Sequence, residues 1–89
     1  MTNKSIEDLI ERSYKLYNKK GWSLHWADRL AYFTLEASEF IEATRGKGGD
    51  PVDEAGDVLI TFLTLITHDG VTLEEAVKAA HKKIDSLMG

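Results

Sequence analysis

Four carboxylates stand in two pairs, Glu36/Glu39 and Glu54/Asp57, each pair three residues apart. On a helix that spacing puts both acids of a pair on one face. Between the pairs lies a glycine-rich segment, Arg45-Gly-Lys-Gly-Gly-Asp-Pro51. If that segment reverses the chain, the two acidic faces can meet across a helix pair. Converging carboxylates repel one another, and a hard divalent cation relieves the repulsion. All-oxygen donors suit Mg²⁺ or Mn²⁺ over Zn²⁺ or copper. Mg²⁺ keeps several waters and commonly bridges to substrate phosphates, so phosphate chemistry comes into view. Such an ion would orient the phosphates, neutralise their charge and activate the attacking water. A plainer reading stands beside this one. Acids three apart are common on solvated helix surfaces, and a helix N-terminus favours Glu54 and Asp57 as anions without any ion. Against it, the second pair sits on a largely apolar helix, where an unpaired carboxylate costs on the order of several kcal/mol of desolvation.

Other residues offer weaker chemistry. His25, His68 and His81 are scattered, and none forms the Glu-x-x-His pair of a di-iron bundle. Trp22 and Trp26 suit packing first and a stacking platform for a base second. Gly46, Gly48 and Gly49 match neither a P-loop nor a dinucleotide fingerprint, because the strand and the ordered spacing are missing. Lys82 and Lys83 read, in isolation, as ordinary surface.

The elements that must position these residues are helical. The 89 residues make one small domain, 1–89, with a hydrophobic fraction of 43% and no cysteine. A chain this short buries a modest share of its surface, so a bound ion or self-association is needed to add stability. The net charge of −4 and the lack of a basic run argue against a nucleic-acid polymer as partner. No apolar stretch is long enough for a bilayer, and the polar start Met1-Thr-Asn-Lys-Ser-Ile-Glu-Asp8 lacks a signal-peptide core. A soluble cytoplasmic protein, with no membrane partner, is the expectation.

Apolar spacing predicts four helices in a small antiparallel all-α bundle, with no competing strand pattern. The first starts at Ser5 as cap and closes at Gly21. The second starts near Ser23 and runs to about Thr44. Trp26, Leu30, Phe33, Ala37, Phe40 and Ile41 form its broad apolar face, and Ala27, Ala31, Thr34 and Ser38 a strip of small residues beside it. Asp50-Pro51 opens the third, because Asp caps and Pro fits the first helical position. That helix is apolar around most of its circumference and is expected at the centre. Thr72-Leu-Glu-Glu75 is a capping box for the fourth.

Taken in order, these residues resemble the MazG-like all-α nucleoside triphosphate pyrophosphohydrolases. The family signature, E-x-x-E, a short turn, then E-x-x-D, appears as Leu35-Glu-Ala-Ser-Glu-Phe40 and Asp53-Glu-Ala-Gly-Asp-Val-Leu59. Downstream, Gly70 to Ile84 looks like the family's last helix. Lys83 matches that helix's Lys, while His81 stands where an Asn is usual. The Arg residues that often end the helix are absent. Phosphate contacts are then expected from Arg29, Arg45 or Lys47, or from a partner subunit. The related phosphoribosyl-ATP pyrophosphohydrolases rank lower, since their usual Ser-Tyr-Thr segment before the first acids is not seen. The resemblance implies that Glu36, Glu39, Glu54 and Asp57 hold Mg²⁺, with Mn²⁺ as substitute, around a triphosphate. It implies hydrolysis of an NTP or dNTP to the monophosphate and pyrophosphate, by water attack at the α-phosphorus. Lys83, His81, Arg29, Trp22 and Trp26 are the candidate substrate contacts. It also implies a homodimer or dimer of dimers that completes the bundle and the base pocket. The competing expectation is a non-enzymatic helical dimerisation module with solvated acidic faces.

Overall fold

The structure, a computed structural model, describes residues 4–89. The first three residues of the polar N-terminal start lie outside the described residues. Four helices account for the fold: α1 (Lys4–Lys20), α2 (Trp26–Thr44), α3 (Pro51–Thr67) and α4 (Leu73–Met88). No strand occurs among the described residues.

Local chemistry sets most of the boundaries. α1 stops where Gly21 takes a φ of 69°. The Trp22 N–H donates to the Tyr17 carbonyl at 2.9 Å and the Gly21 N–H to Asn18 at 3.3 Å, the paired bonds of a Schellman cap. α2 ends the same way, with Lys47 donating to Glu42 and Gly46 to Ala43. Asp50 caps α3 by accepting the Asp53 N–H at 3.1 Å, with Pro51 in the first turn. At α4 the Thr72 hydroxyl accepts the Glu75 N–H at 3.1 Å, and the Glu75 carboxylate accepts the Thr72 N–H at 3.2 Å. These bonds from Thr72, its hydroxyl first, hold the Glu75 carboxyl below its ordinary pKa.

Two expected starts move. Lys4 is already helical, so Ser5 lies inside α1 and is not its cap. α2 begins at Trp26 and its cap is His25, whose Nδ1 accepts the Ala27 N–H at 3.3 Å. Ser23 instead accepts the His25 N–H at 3.1 Å, which shapes the turn before the helix.

The apolar girth of α3 has the predicted consequence: among the described residues it alone packs against each of the other three helices. On the α1 side, Tyr14 shares a hydrogen bond of 2.6 Å with Thr67, and Thr64 donates to the Tyr17 hydroxyl at 3.2 Å. Numbers rise along α1 as they fall along α3, so the two run antiparallel. Tyr17 and Thr64 are fully buried there, and burial raises the Tyr17 phenol above its ordinary pKa. On the α2 side, Phe33 meets Phe62 with ring centroids 5.8 Å apart.

The bundle is open. Among the described residues only Tyr17, Ala43 and Leu63 are buried apolar side chains. The broad face expected on α2 divides: Phe33, Ala37 and Phe40 are half-buried, while Trp26, Leu30 and Ile41 are exposed. Ala31, Thr34 and Ser38 of the small-residue strip are exposed as well. Among the described residues α3 is the one helix that α4 packs along; α4 has no buried residue, and its Val77, Ile84 and Leu87 are exposed. The accessible surface is 6710 Å², against about 5,200 Å² expected for a compact monomer of this mass. The radius of gyration is 14.6 Å, against about 12 Å expected for this length.

Candidate active site

The glycine-rich turn brings the two acid pairs together. Glu36 comes from the middle of α2, Glu54 from the first turn of α3, and Asp57 from the turn after it. One carboxylate oxygen from each of these three lies within 4.8 Å of the others. Glu36 and Glu54 are half-buried and Asp57 is exposed. Glu39, one turn beyond Glu36, is exposed, and it acts on both Glu36 and Glu54 through its charge and a hydrogen bond.

The cost of this arrangement falls on two groups. The Glu36 carboxyl is pushed up to about 7, first by burial, then by the charges of Glu39 and Asp57, a hydrogen bond with Glu39 and the charge of Glu54. Glu54 is also raised, first by burial and then by Glu39, Asp57 and Asp53. Both keep an Oε2 atom buried with no hydrogen-bond partner. Buried polar atoms are nearly always satisfied, so two orphans on facing helices need an explanation. Among the described residues, none of the ion pairs includes any of the four acids. A divalent cation fits this donor set: oxygen only, mutually repelling, with unsatisfied lone pairs. Plain solvated surface suits Glu39 and Asp57 but not Glu36 and Glu54.

Glu36 has a second neighbourhood. With Tyr17, Trp22, Tyr32, Leu35 and Thr61 it lines a cavity of about 250 Å³. The Tyr17 ring lies 5.5 Å from Trp22 and 6.0 Å from Tyr32, both nearly edge to face. A carboxylate of the acidic cluster thus forms one wall of an aromatic pocket. A larger cleft, about 510 Å³ around Tyr14, Thr67 and His68, lies at the other end of α3. None of the four acids lines it.

The remaining candidates separate. Trp22 reaches the aromatic pocket; Trp26 does not, being 63% exposed with its nearest ring contact at His25. Arg29, expected as a substrate contact, has a structural task in this chain. Its side chain is 2% exposed and ties α2 to the C-terminal end of α3. Its Nε donates to the Leu24 carbonyl at 2.8 Å, Nη1 to Leu65 at 2.9 Å and Nη2 to Asp69 at 3.0 Å. The Leu65 bond satisfies a carbonyl that α3 leaves orphaned at its end. His81 and Lys83 are exposed on α4, and among the described residues no ion pair joins Lys83 or His81 to the four acids. Sequence reasoning missed Tyr17, Leu35 and Thr61 as pocket walls. The available signal was spacing, since Tyr32 is one turn before Glu36 and Thr61 one turn after Asp57.

An all-α bundle with clustered E-x-x-E and E-x-x-D acids is the architecture of the MazG-like pyrophosphohydrolase superfamily. Within it, the family model for phosphoribosyl-ATP pyrophosphohydrolase matches residues 3–84, and the chain belongs to that family. The superfamily expected from the motif holds, while the ranking of this family below its relatives is overturned. No curated protein and no solved structure shows a match. The chain is therefore an enzyme of the hydrolase class that cleaves acid anhydrides, and a purely non-enzymatic module is set aside. No described helix is long and apolar enough to cross a membrane.

Proposed function

We propose that this protein is a Mg²⁺-dependent pyrophosphohydrolase of nucleoside triphosphates, NTP or dNTP. One observation carries the reading: two buried, unpartnered carboxylate oxygens, from Glu36 and Glu54, stand beside an aromatic pocket that Glu36 helps to line. The pocket takes the base, with Trp22 and Tyr32 offering ring surface. Glu36, Glu39, Glu54 and Asp57 would hold Mg²⁺, with Mn²⁺ able to substitute. When bound, the ion supplies charge neutralisation at the phosphates and a more acidic water. A carboxylate of the cluster takes the proton of the attacking water. The water oxygen bonds to the α-phosphorus, the α–β bridging bond breaks, and pyrophosphate leaves with that electron pair. A role in clearing non-standard nucleotides from the cytoplasmic pool suits such an activity.

The open bundle supports assembly as a dimer or dimer of dimers. The excess exposed surface, about 1,500 Å² by the comparison above, is of the size a stable subunit interface needs. In such an assembly His81 and Lys83 act on phosphates held at a neighbouring copy's acids.

A second reading takes phosphoribosyl-ATP itself as substrate, favoured by the matched family model. That molecule adds a phosphoribosyl group to the nucleotide. The aromatic pocket offers this extra anion no cation, since no Lys or Arg lines it and Arg29 is engaged elsewhere. The test is a panel of NTPs, dNTPs and phosphoribosyl-ATP, assayed for pyrophosphate with Mg²⁺ and with EDTA. Metal-dependent release from NTPs or dNTPs is expected. Release from phosphoribosyl-ATP alone selects the second reading, and no release from any member contradicts both.

A further inference from the structure

We propose that Gly49 is a positioning residue that keeps the Glu54 carboxylate in the acidic cluster. The inference rests on the reading of that cluster as a metal site. Glycine at 49 is not demanded by the backbone. Gly46 and Gly48, in the same turn, hold φ values of 76° and 108°, which favour glycine. Gly49 has no positive φ, so no left-handed backbone calls for glycine there.

The constraint is space, and it comes from one side chain. A Cβ at position 49 would stand 2.9 Å from the Glu54 Oε1 atom, closer than such carbons approach oxygen in practice. The next nearest atoms, Cδ and Cγ at 3.8 and 3.9 Å, belong to Glu54 as well. The turn therefore packs its bare Cα against one oxygen of Glu54, while the other oxygen is buried without a partner. A methyl group here asks nothing of the backbone or of any other residue. It asks Glu54 to swing aside. A flexible carboxylate does so at little expense to the fold, but a metal ligand must hold its place to within about half an ångström.

The direct test measures Mn²⁺ binding by calorimetry or by the free-ion EPR signal, in wild type and in Gly49→Ala. The variant is expected to fold and melt like wild type in EDTA, and to bind Mn²⁺ at least about tenfold more weakly, the range seen when groups that orient metal ligands are lost. In a Glu54→Ala background the same substitution is expected to add no further loss. Unchanged affinity in Gly49→Ala, an unfolded variant, or an equal loss in the Glu54→Ala background would each overturn the proposal. Wild type that takes up no Mn²⁺ counts against the metal reading itself. A crystal structure of metal-free Gly49→Ala then decides the matter independently: a displaced Glu54 carboxylate is expected, and one in its wild-type place overturns the assignment.

Discussion

A carboxylate oxygen of Glu36 on α2 lies within 4.8 Å of one from Glu54 on α3, and each residue keeps its Oε2 buried and unpartnered. Two acids on facing helices stand in mutual repulsion, with Glu39 and Asp57 adding to it. Much of the expected behaviour of the protein follows from relieving that repulsion, by a proton or by a metal ion.

The first consequence is a pH dependence of the metal-free protein. The folded-state pKa of Glu36 is raised to about 7 and that of Glu54 is also raised, whereas in the unfolded chain a glutamate titrates near about 4.3. Between those values the folded state binds more protons than the unfolded state, so stability falls as pH rises. The contribution is fully present below the unfolded value and lost once pH passes about 7. In EDTA, the melting temperature should therefore drop between pH 5 and pH 8, and Glu36→Gln should flatten that drop. Mg²⁺ bound as proposed would compete with protons for the same oxygens, so its stabilising effect should grow over the same interval. A metal-free protein whose melting temperature climbs steadily from pH 5 to pH 8 would contradict this account.

Neutralising single acids should separate stability from turnover. Glu36→Gln, Glu39→Gln, Glu54→Gln and Asp57→Asn are each expected to lower kcat/KM by roughly a hundredfold or more, through loss of a ligand or its orientation. Each should retain helical circular dichroism. At pH 8 without metal, Glu36→Gln should be more stable than wild type by about 1 kcal/mol, the scale of one like-charge contact near water. Full activity in any of the four removes that residue from the site.

Arg29 should behave as a structural residue. Arg29→Met keeps the length but leaves the Leu65 carbonyl and Asp69 without their donor. We expect a loss of about 3 kcal/mol, which for a domain of this size lowers Tm by on the order of 15 °C. KM should change little at a temperature where the variant is folded. An unchanged Tm with a raised KM would return Arg29 to the substrate.

The exposed face of α4 should be covered in solution. Light scattering is expected to give twice or four times the chain mass of 10.0 kDa. Ile84→Lys, which places a charge on that face, should shift the population toward monomer and lower Tm. A monomeric wild type at micromolar concentration would contradict the assembly.

What the sequence made legible was mostly local. The Asp50-Pro51 start, the Thr72–Glu75 box and the Gly21 stop are short-range chemistry, and all three are present. The convergence of the acid pairs was legible too, because spacing and a short turn together restrict the geometry. The structural bonds of Arg29 were not legible because its partners on α3 lie 35 or more residues away, and no local pattern announces a carbonyl left unsatisfied at another helix's end. His25 as a cap escaped notice because Ser23 is the more usual capping residue and stands two positions earlier. The split of the α2 apolar face was hidden for a related reason. Periodicity marks which residues are apolar, not which of them this chain covers and which it leaves exposed.

The most direct measurement is pyrophosphate release from the nucleotide panel, with wild type and Glu54→Gln side by side, in Mg²⁺ and in EDTA. Monophosphate and pyrophosphate are expected from wild type in Mg²⁺ alone, with release reduced roughly a hundredfold or more in the variant. Release that persists in EDTA, or that Glu54→Gln matches, would contradict the claim that this carboxylate cluster is the catalytic centre.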